Sequence, residues 1–164
     1  MSAEQQELIM KSGVSYFQQY GKPFQEKIFQ GLVTDKDWAA QMYEVMKPDY
    51  FDVKYLQYLT ETYFTYFEKY RCFPTMGLVI SMIKDDFKAS GVDGVFRDQI
   101  IGFIQRMKMN PNPEDLPYVK DKALDFCKRQ AFKEALTQAV ELVQSDKFES
   151  VVTLMRKEIG RAHV

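Results

Sequence analysis

The strongest constraint on this chain is a break in helical sequence followed by an unbroken run. Pro111, Pro113 and Pro117 fall within seven residues of the string Asn110-Pro111-Asn112-Pro113-Glu114-Asp115-Leu116-Pro117. A proline lacks the backbone N–H and clashes with the preceding turn, so this segment reads as an extended linker over 110–117. From Tyr118 to Gln144 there is neither Gly nor Pro, which predicts one unusually long helix. A shorter helix is expected from about Lys147 to Ile159, behind the capping-box-like Asp146-Lys147-Phe148-Glu149. The connector Gln144-Ser145-Asp146 is so short that the two helices should fold back as an antiparallel hairpin over 118–160.

Upstream of the prolines, apolar residues recur at helical spacing throughout residues 1–109. Pro23 suits the first turn of a helix carrying Phe24, Ile28, Leu32 and Val33. Thr34-Asp35-Lys36-Asp37 offers caps for a second, with Trp38, Met42, Val45 and Met46, which Pro48 ends. Asp52 is expected to cap a longer helix to about Arg71, with Leu56, Leu59, Tyr63, Phe67 and Tyr70 inward. Thr75 should cap the next, turning in Met76, Ile80, Ile83 and Phe87, and a further helix follows Asp93-Gly94. No strand-like alternation and no repeat is present. The expected fold is all-α: a multi-helix head, a proline-rich linker, an antiparallel helical hairpin and, over 161–164, a short tail or the start of a linker to a further domain.

Within the hairpin, Ala123, Cys127, Ala131, Ala135 and Ala139 recur at steps of four, forming a shallow groove. Beside it Leu124, Lys128, Phe132, Leu136 and Val140 form a ridge. Small residues in the groove let a second helix approach closely. The shorter helix offers Phe148, Val151, Val152, Met155 and Ile159 as one stripe. One two-helix seam cannot accommodate all of this surface together with Phe126, Leu142 and Val143. The surplus must dock on the head or pair with another hairpin, and periodicity does not choose between them.

Composition narrows the possible chemistry. The chain has 164 residues, with 22 Lys+Arg against 23 Asp+Glu, so there is no basic excess to neutralise phosphates. The polar, acidic start Met1-Ser2-Ala3-Glu4-Gln5-Gln6-Glu7 is unlike a secretory or transit peptide, and two cysteines suit a reducing cytosol. There is no Gly-rich phosphate loop, and His163 is the single histidine, so neither a nucleotide site nor a zinc site is expected. Cys127, in the small-residue row, reads as a packing residue rather than a reactive thiol. Cys72 lies in a turn before Phe73-Pro74. Asp85-Asp86, beside Lys84 and Lys88, reads as a solvated helix face. The basic residues of the hairpin (Lys120, Lys122, Lys128, Arg129, Lys133) are interleaved with Asp121, Asp125 and Glu134 and read the same way. The rings crowded between Tyr50 and Phe73 form either a core stripe or a platform for single-stranded bases. The second reading would make the chain a small single-stranded nucleic-acid-binding protein.

Three strings carry a resemblance. They are Phe24-Gln25-Glu26-Lys27-Ile28 through Trp38 to Pro48-Asp49-Tyr50-Phe51; Tyr66-Phe67-Glu68-Lys69-Tyr70 with Phe73-Pro74-Thr75; and Val119 to Ala131 running on to Ala135, Glu141-Leu142 and Phe148. In this order they resemble the N-terminal domain of phage-encoded, DnaB-type replicative DNA helicases, over roughly Val14 to Ile159. The resemblance implies a helical head joined to a hairpin. Hairpins of neighbouring subunits would pair, and the paired domains would build the collar of a hexameric ring that engages primase and, in some systems, a helicase loader. It casts Ala123, Phe126, Cys127, Ala131, Phe132, Ala135, Leu136, Ala139, Val140, Val143, Phe148, Val151, Val152 and Met155 as subunit or partner interface. The family's motor is a RecA-like ATPase, and no phosphate-binding loop for one occurs in this chain. ATP and magnesium are therefore expected only for that missing domain, and DNA would be met indirectly, in the cytoplasm of a bacterial host. No cofactor and no catalytic residue are expected in these 164 residues.

Overall fold

The computed structural model describes residues 16–162. Among these, seven α-helices occur and no strand. They are α1 (Lys22–Thr34), α2 (Lys36–Val45), α3 (Lys54–Tyr70), α4 (Met76–Ser90), α5 (Gly94–Met109), α6 (Leu116–Gln144) and α7 (Phe148–Ala162). Short 3-10 turns at Gln18–Tyr20 and Pro48–Tyr50 precede α1 and α3. The all-α expectation holds.

Local chemistry explains most helix starts. Pro23 sits in the first turn of α1, where its missing N–H costs nothing. The Asp35 carboxylate accepts from the Trp38 amide at 3.0 Å and the Thr75 hydroxyl from the Leu78 amide at 3.2 Å, capping α2 and α4. Asp93 accepts from the Val95 amide at the head of α5. Asp52 does not cap α3: the helix starts one residue later behind Val53, with no side-chain cap. Instead the Asp52 amide donates to Gln25 Oε1 of α1 at 2.9 Å, a bond across the fold.

The head's core is aromatic and tightly closed. Phe17, Phe29, Phe51, Tyr63 and Phe103 are fully or almost fully buried, with Ile28, Leu32, Leu56 and Leu59 between them. On α4 it is Val79, not Ile80, that is fully buried, together with Ile83. Tyr70 departs from the expected α3 stripe and is 54% exposed, because the chain leaves the helix at Arg71 in a left-handed conformation.

The proline segment is shorter and better anchored than an extended linker. Helix α6 begins at Leu116, so Pro117 lies in its first turn rather than in the linker. Gln30 donates to the Asn110 carbonyl at 2.7 Å, Lys27 pairs with Asp115, and Pro113 is buried. The segment is thus a strap laid along α1. Nor does packing break there: Val119, Ala123 and Cys127 of α6 belong to the same buried cluster as the head. The first half of α6 lies on α1 and α2.

Helix α7 folds back along α6. Residues 145–147 connect them, with Asp146 at φ 58° and the amides of Asp146 and Lys147 donating to the carbonyls of Val143 and Leu142. These bonds satisfy the free carbonyls at the end of α6. Asp146 is therefore part of the C-terminal turn of α6, not the capping-box residue of α7. At its far end α7 returns to the head, where Arg161 reaches Glu44 of α2 at 3.7 Å.

Candidate functional site

Side-chain burial divides the hairpin into three faces. Val119, Ala123 and Cys127 point into the head. Ala135 and Ala139 form the seam on α6, and Val151, Leu154, Met155 and Glu158 form it on α7. Small residues on one side and larger ones on the other allow close approach, as ridge-and-groove packing requires. The third face is apolar and, among the described residues, exposed. On α6, Phe132 is 42% exposed, Leu136 42%, Val140 57% and Val143 45%; on α7, Phe148 is 59%, Val152 50% and Ile159 50%.

These two exposed rows belong to one surface. At about 100° per residue, Phe132, Leu136, Val140 and Val143 lie roughly a quarter turn round α6 from its seam. Phe148, Val152 and Ile159 lie roughly a quarter turn round α7 in the same rotational sense. Because the helices run antiparallel, equal rotations bring both rows to the same side of the hairpin. That side is opposite the one by which α6 packs on the head. A contiguous apolar face of this kind is larger than scattered surface side chains and is characteristic of interaction sites.

The interface residues expected from sequence therefore separate. Ala123 and Cys127 are fully buried in the chain's own core. Phe126 sits in an aromatic nest with Tyr16, Phe17, Tyr20 and Tyr50, ring centroids 5.7–6.5 Å apart. The half-buried Ala131 packs against the head's core, and Ala135, Ala139, Val151 and Met155 are taken up by the hairpin's internal packing. Phe132, Leu136, Val140, Val143, Phe148 and Val152 remain on the open face, joined by Ile159. Leu154 and Glu158, absent from the expected stripe, complete the seam. Glu158, the one acid there, is 6% exposed and accepts from Arg161 at 2.8 Å.

Polar contacts fix the hairpin against the head. Lys120 pairs with Asp35 at 2.5 Å and lies over the Trp38 ring. Lys120 and the Trp38 amide together hold the Asp35 carboxyl below its ordinary value. Glu134 accepts from Lys47 at 3.0 Å and from the Tyr50 hydroxyl at 3.4 Å. Burial, followed by the neighbouring Glu134 charge, raises the Tyr50 phenol.

The aromatic window is used by the head. Tyr50, Phe51, Tyr55, Tyr63, Phe64 and Phe73 are buried. Tyr55 donates to Glu26 at 2.6 Å and Tyr58 to Asp86 at 2.8 Å, the latter phenol pushed up to about 12 chiefly by burial. Tyr66 and Tyr70 are left at the margin, beside the carbonyl end of α3. A helix C-terminus carries negative potential and does not favour a phosphate backbone. Cys72 is exposed, whereas burial drives the Cys127 thiol far above its ordinary range.

Among the described residues no group of three or more His, Cys, Asp or Glu side chains converges as a metal site would require. None of their helices is long and apolar enough to cross a membrane. His163 and Met1–Glu7 lie outside the described residues, as does the end of the tail. Comparison with protein-family models, curated proteins and solved structures gives no match.

Proposed function

We propose that this chain is a non-catalytic assembly and docking domain, and that its hairpin pairs with the hairpin of a second copy through the open apolar face. The observation that carries this reading is the row Phe132, Leu136, Val140 and Val143 on α6 beside Phe148, Val152 and Ile159 on α7. Seven half-exposed apolar side chains on one side of a two-helix element form the apolar centre of a protein–protein interface. A standard interface buries about 800 Å² per partner, so polar residues around these seven would have to complete the contact.

The wider role follows from the resemblance to the N-terminal domain of phage DnaB-type replicative helicases. Paired hairpins would organise the collar of a hexameric ring, and the collar would dock primase or a loader during phage DNA replication. ATP and magnesium belong, on this reading, to a RecA-like motor that these 164 residues do not include. Head, strap and hairpin locked together suit such a collar, because the orientation of the pairing face is then fixed relative to the head.

Sedimentation equilibrium over a wide concentration range tests the pairing. The wild-type chain should associate reversibly, and Leu136→Asp with Val152→Asp should shift it to monomer while far-UV circular dichroism stays unchanged. A wild type that remains monomeric at the highest concentrations, or association indifferent to both substitutions, would overturn the pairing. The collar role has its own test. The chain should co-sediment with the primase of the same phage, and no co-sedimentation would remove primase docking while leaving self-pairing intact.

A further inference from the structure

We draw no further inference here: the strongest candidate, the cleft of about 380 Å³ between α2, α6 and α7 lined by Glu44, Lys128, Lys157 and Arg161, carries nothing because Arg161 is already engaged by Glu158 and Glu44 and nothing in the structure shows what would fill it.

Discussion

A Cβ placed on Gly31 would lie 2.9 Å from Cζ3 of Trp38 and 3.2 Å from Cγ of Lys120. The missing side chain therefore sets how closely α1, α2 and α6 meet. Trp38 is 6% exposed, so its rigid ring has little room to retreat. Gly31→Ala should destabilise the protein by about 1–3 kcal/mol of overpacking, partly offset by ~1 kcal/mol of helix propensity. Gly77, near the start of α4, has nothing within 4 Å of an added Cβ. Gly77→Ala should stabilise by roughly 0.5 kcal/mol through the unfolded chain alone. Urea midpoints for the two variants should move in opposite directions, and a shift of both the same way would refute the packing role of Gly31. The two cysteines differ as clearly. A thiol reagent at mildly alkaline pH should label Cys72 in the folded protein and reach Cys127 only on unfolding; rapid labelling of both would contradict the burial of α6 in the head. Cys127 was legible as a packing residue, since it shares a four-step row with alanines. Gly31 was not, because its neighbours lie on two other helices.

Helix boundaries were readable where the cap is local and not where it is remote. Asp35, Thr75 and Asp93 each satisfy an amide two or three residues on, a relation the sequence displays directly. Asp52 looks like the same signal, but its own amide is held by Gln25, 27 positions earlier, and no local pattern records that. Pro117 was ambiguous for a different reason, since proline ends helices and also begins them. Asp35 also has a role beyond its own helix, because it joins the cap of α2 to Lys120 of α6. With its carboxyl held below the ordinary value, the linkage has a definite sign. The stabilisation is fully present above the unfolded pKa of about 4 and disappears as pH falls through the lower folded value. Asp35→Asn keeps a capping oxygen and removes the charge. It should therefore flatten the acid limb of the stability curve below about pH 4 while costing less than ~1 kcal/mol at neutral pH, as suits a partly exposed pair. Chemical denaturation at a series of pH values gives the comparison. An acid limb as steep as that of the wild type would show that Lys120 does not discriminate the ionised form.

At the scale of the whole molecule, the sequence disclosed that the hairpin holds more apolar surface than one seam can use, but not how it is apportioned. Periodicity places Ala123 and Ala139 on the same row. Only the fold shows that the row begins against the head and ends against α7, because α6 is long enough to outrun the head that covers its first half. The uncovered remainder is what a partner would meet. Substitutions along α6 should consequently fall into two classes. Leu136→Asp, on the open face, should abolish association and leave the thermal midpoint nearly unchanged, since a half-exposed leucine contributes little to the monomer's own core. Ala139→Leu, on the seam, should force α7 away from α6 at a cost of about 1–3 kcal/mol. Its loss of stability should appear at concentrations where the protein is monomeric, and any effect on association should follow from that loss. Thermal melts paired with sedimentation on the same two variants distinguish the faces. If Leu136→Asp lowered the midpoint as much as Ala139→Leu, the exposed row would be part of the hairpin's own packing, and the surface available to a second copy would shrink to Val140, Phe148 and their immediate neighbours.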